Sequence, residues 1–134
     1  MKKILFLATM VIGYSSIASA QRATLMPLIA GDTIVNTGTV TKTITASAGY
    51  SALGIQPVVT KISGTVGGTL FLYQSLNGSD FVKTGDSLNL TNITVNTVFW
   101  SQRTVPGVYY RVIATGTGTM SAVLRLNYVL RKHD

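Results

Sequence analysis

The sequence has few of the side chains that carry out chemistry. Its 134 residues contain no cysteine, no glutamate and a single histidine, His133. Without cysteine, disulfides, thiol catalysis and cysteine-based zinc sites are excluded. Because His133 lies in a terminal segment of the kind that is usually poorly ordered, we do not expect it to act as a base or a metal ligand. Acid–base chemistry would fall to Asp32, Asp80 and Asp86, so we predict a protein that is not an enzyme and holds no cofactor or metal.

Charge is also scarce and unbalanced. Charged residues make up 11% of the chain, with 11 basic and 4 acidic residues and a net charge of +7, whereas soluble domains usually contain about 25%. The basic residues are scattered, and only Arg131 and Lys132 are adjacent. Nucleic-acid sites cluster their basic residues on one face, so we expect no nucleic-acid partner. A weak attraction to an anionic surface such as a cell envelope fits this charge better.

The first twenty residues have the pattern of a secretory signal peptide. Lysines at positions 2 and 3 precede an apolar run over 4–12, which Gly13 interrupts, and 18–20 read Ala-Ser-Ala. That order of basic, apolar and small residues is typical of a cleaved signal. A membrane-spanning helix needs about 20 apolar residues, so we expect no stable span. The prediction is export to the periplasm, the extracellular space or a virion surface, with a retained hydrophobic segment as the alternative.

The remainder of the chain is predicted to be all-β. Thr, Val and Ile dominate, glycines recur between short runs, and no helical periodicity appears after the first twenty residues. Seven to eight strands at short intervals predict an antiparallel β-sandwich of immunoglobulin-like or jelly-roll type. We place this domain at 38–134 and interpret 21–37, which shows no alternation, as an arm or linker.

Two strands suggest contacts between copies of the chain. The segment 120–132 alternates apolar and polar residues over its length, and 39–45 places a threonine at every second position. A strand as long as 120–132 is expected to span a sheet or to protrude toward a partner. Exposed strands of this kind pair with other chains, so we predict a homo-oligomer or other structural proteins as partners, joined by strand pairing or by packing of sheet faces.

The segment "LYQSLNGSDFVKTGD" is the strongest candidate for a functional loop. Asn77-Gly78 predicts a two-residue type I′ hairpin turn, with Phe81 returning to the core. The alternative is a calcium loop in which Asn77, Asp80 and Asp86 supply oxygen ligands. Their irregular spacing and the intervening Lys83 favour the hairpin, which would present its tip to a partner.

Exposed aromatic residues could form platforms for sugar rings. Trp100, which precedes the polar run to Arg103, and Tyr50 are the aromatic residues that we expect to be exposed. The predicted surface contacts are therefore Tyr50, Asn77, Asp80, Asp86, Trp100 and Arg103.

Two stretches resemble a recurrent family of small β-sandwiches in bacteriophage structural proteins. The first is the turn Ser75-Leu-Asn77-Gly78-Ser-Asp-Phe81, and the second is the Tyr-Tyr-Arg-Val strand at 109–112 with its Gly/Thr hairpin at 115–119. The resemblance covers about residues 38–132 and carries no catalytic residues. It implies a non-enzymatic virion-associated protein that self-assembles or decorates a capsid or tail. The alternative is an exported bacterial domain that binds glycans or adheres to surfaces.

Overall fold

The computed structural model describes residues 23–25, 29–46 and 49–132. The predicted signal peptide lies outside these residues and remains a prediction. In the described part of the chain, all ten elements are β-strands. They are β1 (Ala23–Leu25), β2 (Ile29–Val35), β3 (Thr39–Thr45), β4 (Tyr50–Gly64), β5 (Gly68–Ser75), β6 (Val82–Leu90), β7 (Val95–Thr97), β8 (Trp100–Gln102), β9 (Tyr109–Gly116) and β10 (Met120–Lys132).

The strands form two antiparallel sheets, which confirms the predicted all-β sandwich. In the six-stranded sheet, β4 and β10 pair along their whole length at the centre. β1 and β2 both pair with β10 on one side, and β7 and β8 both pair with β4 on the other. The four-stranded sheet has the order β3-β9-β5-β6. The count of ten exceeds the predicted seven to eight because three of the strands, β1, β7 and β8, have only three residues each.

The expectation that 21–37 is a linker is wrong for most of that segment. β2 pairs with β10 from Val35↔Ser121 to Ile29↔Leu126, and Ile34 is fully buried. The segment shows little alternation because β2 is exposed on both faces over 30–33 and only Ile34 is buried. The sandwich therefore begins before position 38.

The core lies between the inner faces of the two sheets. Alternate residues of the central strands point inward and are buried. Examples that are fully buried are Ile55 and Leu124 of the six-stranded sheet and Leu72 and Val112 of the four-stranded sheet. Each large buried side chain of this kind stabilises a fold by about 2–5 kcal/mol relative to alanine. The period-2 pattern of the sequence thus corresponds directly to burial.

The long final strand does not protrude. All thirteen residues of β10 pair with β4, and on its other side β2 pairs with 121–124 and 126 and β1 pairs with 129–131. A strand that is paired on both sides has no free backbone groups to offer another chain. The expectation that β10 meets a partner by strand pairing is therefore wrong.

The two lateral openings between the sheets are each closed by a polar contact. On one side, Lys42 Nζ of β3 donates to the carbonyl of Ala30 at 2.5 Å and lies 2.6 Å from Asp32 Oδ2 of β2. On the other, Gln102 Nε2 of β8 donates to Asp86 Oδ2 of β6 at 2.5 Å. These contacts tie the sheets together where the apolar core ends.

Candidate functional site

The connection between β5 and β6 is a six-residue loop, 76–81, built around a buried serine. Ser75 is 5% exposed, and its Oγ donates to Asn77 Oδ1 at 2.9 Å. The same oxygen accepts from the backbone N–H of Gly78 at 3.0 Å. A short polar side chain that hydrogen-bonds to neighbouring residues in this way stabilises a turn and competes with regular secondary structure.

Asn77 completes the loop with its side chain. Its Oδ1 accepts from the backbone N–H groups of Ser79 and Asp80, both at 2.9 Å. Its Nδ2 donates to Asp80 Oδ2 at 2.7 Å. The hairpin is confirmed by the pairing of β5 with β6, but the two-residue type I′ turn is wrong. Asn77 is not among the residues with positive φ, and Gly78 alone in the loop has one, at 77°.

The hydrogen bonds of the loop favour the hairpin over the calcium alternative. Asn77 Oδ1 accepts from three donors within the loop, whereas a calcium loop directs such oxygens at the ion. Asp86 lies beyond the loop in β6, where it accepts from Gln102. In the described ranges, no group of three or more potential metal-ligating side chains is present.

The loop folds back over the outer face of the four-stranded sheet. A Cβ on Gly78 would lie 3.3 Å from ring carbons of Tyr109, so glycine allows the backbone to approach the ring. The guanidinium of Arg111 lies 3.7 Å from the ring centroid of Phe81. Phe81 is therefore half-buried on the outer face, and the expectation that it returns to the core is wrong.

On its other side the loop borders a pocket of about 430 Å³ at one end of the sandwich. The walls include Gln74, Leu76, Asn77, Asp80, Val82 and Pro106. Leu76 is 73% exposed and Val82 is 65% exposed. The pocket combines an apolar rim with two polar side chains whose positions the loop fixes, Asn77 and Asp80, which are hydrogen-bonded to each other.

The predicted surface residues do not form one site. Asn77 and Asp80 share the pocket, whereas Asp86 closes the side of the sandwich and Arg103 is exposed after β8. The expected exposure of Trp100 is wrong, since it is 5% exposed. Its partner in the register is Ile55, which points into the core, and cross-strand partners share a face.

Tyr50 is half-buried and packs against the core, with Lys132 Nζ 5.6 Å from its ring. It is therefore not a free aromatic platform of the kind that stacks on a sugar ring.

The sequence reasoning missed the outer face of the four-stranded sheet. The register of β9, β5 and β6 places Arg111, Tyr73 and Lys83 in one row across the strands, with Phe71 beside them. Lys83 Nζ lies 3.7 Å from the ring centroid of Phe71. The alternation within β5 and β9 could have indicated this face, because each second residue of a strand lies on the same side.

Large exposed apolar side chains are found at both ends of the sandwich. The first end holds the connections 36–38, 65–67, 91–94 and 117–119, and the second end holds 76–81 and 103–108. Near the first end, Val35, Ile62, Ile93 and Val95 are 43–58% exposed; near the second end, Leu76, Val82 and Val108 are 38–73% exposed. Phe99, 63% exposed, lies against Gly54 on the outer face of the six-stranded sheet.

One buried tyrosine anchors the connection before β9. Tyr110 is fully buried, and its hydroxyl oxygen accepts from the backbone N–H of Gly107 at 3.2 Å. Burial raises the pKa of Tyr110 above its usual value of 10.0, and the hydrogen bond from Gly107 offsets this in part. The side chain is structural, because it points into the core.

The fold defines an antiparallel β-sandwich, and solved structures share it. The exported protein XepA of PBSX aligns with a TM-score of 0.58 and 12% identity over 84% of this chain and 38% of that one. A subunit of the disulfide-linked pili that form Bacillus endospore appendages aligns with a TM-score of 0.53 and 9% identity, over 85% and 91% of the two chains.

The enzymatically active domain of tailspike protein 4 of bacteriophage CBA120 aligns with a TM-score of 0.51 and 12% identity, over 81% and 18%. This chain thus spans well under half the length of XepA and of the tailspike domain. No protein-family model matches the sequence, and no curated protein is similar to it in sequence. At these identities the likeness shows the fold alone. In the described residues, no helix is long and apolar enough to cross a membrane.

Proposed function

We propose that this chain is a non-enzymatic structural module of an exported or virion-borne assembly, and that its copies pack end to end. The observation that carries the proposal is the presence of exposed apolar side chains at both ends of the sandwich. Leu76 and Val82 at the second end and Ile62 and Ile93 at the first end are each more than half exposed. Soluble monomers rarely expose contiguous apolar patches larger than a few hundred Å², and patches above that size mark contacts with partners.

The guarded edges of the sheets favour end contacts over strand pairing. β3 is an edge of the four-stranded sheet, and it directs Lys42 toward the interior, where the side chain is 8% exposed and paired with Asp32. β6, the opposite edge, is distorted at Gly85, whose φ is 99°. Inward-pointing charges and irregular edges both discourage pairing with another chain.

The two ends differ, which sets the geometry of the proposed contact. The second end offers a concave pocket with an apolar rim, whereas the first end offers the exposed side chains of a loop and neighbouring strands. Contacts between unlike surfaces are heterologous and generate rings or filaments. Among the structures that share the fold, one is a pilus subunit, one is an exported protein and one is part of a phage tailspike. These are compatible with a role in an assembly.

The alternative function, glycan binding through Trp100 or Tyr50, has no support at those two residues. Trp100 is buried and Tyr50 packs against the core. Neither side chain offers an open ring.

Sedimentation velocity of the purified protein tests the end-to-end contact. We expect the protein to associate with increasing concentration, and we expect Leu76→Asp and Ile93→Asp each to reduce this association, because each places a charge at one end. Both residues are largely exposed and outside the strands, so stability should change by less than about 0.5 kcal/mol. Gln56→Asp, which adds the same charge on the exposed middle of β4, should leave association unchanged.

A mixture of the two single variants provides the sharpest outcome. Each variant keeps one intact end, so the mixture should form dimers through the two intact ends but nothing larger. If the unsubstituted protein stays monomeric at high concentration, or if Leu76→Asp and Ile93→Asp associate as it does, the end-to-end proposal is wrong.

A further inference from the structure

The outer face of the four-stranded sheet carries a second surface, which the end contacts do not use. We call it the outer strip and define it as Thr41, Phe71, Tyr73, Lys83 and Arg111. The register aligns Thr41 with Ile113 and Phe71, and it aligns Arg111 with Tyr73 and Lys83. Because strands hold these side chains, their relative positions are fixed by the sheet.

The two cations of the outer strip lie against aromatic rings. Lys83 Nζ is 3.7 Å from the centroid of Phe71 and 5.8 Å from that of Tyr73. The guanidinium of Arg111 is 3.7 Å from the centroid of Phe81. A cation over a ring gains a modest attraction, and a side chain that is already held in place loses less freedom when it binds a ligand.

Neither cation has an acidic partner in the described part of the chain. The single ion pair found there joins Lys42 to Asp32. Every outward position that the register assigns to the face is uncharged or basic. Arg111 Nε is buried and has no hydrogen-bond partner, and an arginine cannot shed its charge to relieve this. The strip therefore presents uncompensated positive charge.

Hydroxyl and amide groups surround these cations. The outward positions beside them include Thr39, Thr41, Thr43, Thr69, Thr115, Ser87 and Asn89. Hydroxyl groups both donate and accept hydrogen bonds, so a ligand that complements this face carries many hydroxyls and a sparse negative charge. A nucleic acid is a poorer match, because proteins that bind it neutralise about 6–10 phosphates and stack bases on open rings.

We propose that the outer strip binds an acidic polysaccharide, with its carboxylates beside Lys83 and Arg111 and its hydroxyls on the threonine column of β3 and on Thr115 of β9. The binding is non-covalent and needs no metal. It is independent of the end-to-end contact, because the strip lies on a sheet face and leaves both ends of the sandwich free.

The test measures binding of polygalacturonate and of its methyl ester, which keeps the same sugar backbone without the charge, by isothermal titration calorimetry. We expect polygalacturonate to bind and the methyl ester to bind at least about tenfold more weakly, which corresponds to the loss of one charge-assisted hydrogen bond. Lys83→Gln should weaken binding to polygalacturonate by about tenfold, and Lys83→Glu should weaken it further.

The control distinguishes binding at the outer strip from general attraction to the net positive charge of the protein. Arg125→Gln removes one exposed positive charge from the opposite sheet and should change the affinity by less than about twofold, because exposed charges beyond a Debye length of about 8–10 Å are screened. Lys83 is exposed, so its variants should fold, and thermal unfolding will verify this. Thr41→Val, which keeps a β-branched side chain but removes the hydroxyl, should weaken binding by a few fold.

Four results would overturn the proposal: no binding of polygalacturonate, equal binding of the methyl ester, equal effects of Lys83→Gln and Arg125→Gln, or an equal affinity for inorganic polyphosphate. The last two would mean simple ion exchange on a basic protein. None of these results bears on the end-to-end contact, which sedimentation tests separately.

Discussion

The β5–β6 loop and the outer strip adjoin each other but use their polar groups in opposite ways. In the loop, Ser75, Asn77 and Asp80 satisfy one another and the backbone. In the outer strip, Lys83 and Arg111 have no acidic partner among the described residues. Polar groups that are satisfied internally stabilise a conformation, whereas groups left unpaired at a surface are available to a ligand. We therefore expect substitutions in the first set to change stability and substitutions in the second to change binding.

The largest effect is expected for Asn77→Ala. The substitution removes hydrogen bonds from Asn77 to Ser75, Ser79 and Asp80, which should lower the free energy of unfolding by about 2–3 kcal/mol. Chemical denaturation measures this. Ser79→Ala, which keeps the backbone N–H that bonds to Asn77, serves as the control and should change stability by less than about 0.5 kcal/mol. Equal stability of Asn77→Ala and the unsubstituted protein would mean that the loop is not held by this side chain.

A smaller effect is expected at the edge of the four-stranded sheet. Lys42→Met keeps the apolar stem but removes the ammonium group that bonds to Ala30 and Asp32. We expect a loss of about 1–2 kcal/mol in unfolding free energy, together with faster aggregation, because the edge loses its inward-pointing charge. Denaturation and light scattering measure the two effects. The matched control is Lys61→Met. Lys61 lies in β4, an inner strand of the six-stranded sheet, and donates to Asn92 in the connection 91–94. If neither stability nor aggregation differs between the two variants, Lys42 does not guard the edge.

Tyr110 provides a test at high pH. Burial raises its pKa in the folded state above 10.0, so the folded protein favours the neutral phenol. The stability from this group is fully present below about pH 10, where unfolded tyrosine ionises, and is lost as the pH rises through the folded pKa. Tyr110→Phe should cost about 1 kcal/mol at pH 7, because the N–H of Gly107 loses its acceptor. It should also reduce the loss of stability between pH 9 and 11.

Thermal unfolding across that pH range measures the Tyr110 effect. Tyr109→Phe is the comparison, since the half-buried Tyr109 lies on the outer face under Gly78. A Tyr110→Phe variant whose stability falls as steeply at high pH as that of the unsubstituted protein would assign the alkaline transition to other groups.

The smallest effect on stability is expected for Lys83→Gln. Its cation lies over Phe71 at the surface, and exposed interactions of this kind contribute about 0.5–1 kcal/mol at most. The unfolding free energy should therefore fall by less than about 1 kcal/mol, while affinity for polygalacturonate falls about tenfold. If Lys83→Gln lost as much stability as Asn77→Ala and kept its affinity for polygalacturonate, the contrast drawn between the loop and the outer strip would be wrong.

The sequence predicted the fold better than the sites, and particular residues show why. Strict alternation in 120–132 matches the inward and outward faces of β10, because a strand buried on one face must alternate. The alternation did not show that β10 lies at the centre of a sheet, since strand order depends on contacts between distant segments. β2 was missed because it has few buried residues beyond Ile34.

The site residues were harder to predict because their chemistry depends on neighbours from other strands. Trp100 follows a polar-rich segment, but its register opposite Ile55 turns it into the core. Asn77-Gly78 has the composition of a tight turn, yet the hydroxyl of Ser75 draws the backbone into a wider loop. Arg111 and Lys83 are far apart in sequence, and the pairing of β5 with both β9 and β6 brings them into one row. Local patterns carry none of this cross-strand information.

The most direct measurement is a chemical-shift map of the backbone amides as a short oligogalacturonate is added to the ¹⁵N-labelled Leu76→Asp variant, in which the end contact is weakened. If the two regions differ as described, shifts concentrate in β3, β5, β6 and β9 around Thr41, Tyr73, Lys83 and Arg111. Residues 76–80 of the loop and the outer face of β4 and β10 then change little, whereas Phe81, which lies against Arg111, shifts with the strip. Shifts centred on the pocket beside Asn77 and Asp80, or spread evenly over the basic surface, would contradict the assignment of binding to the outer strip.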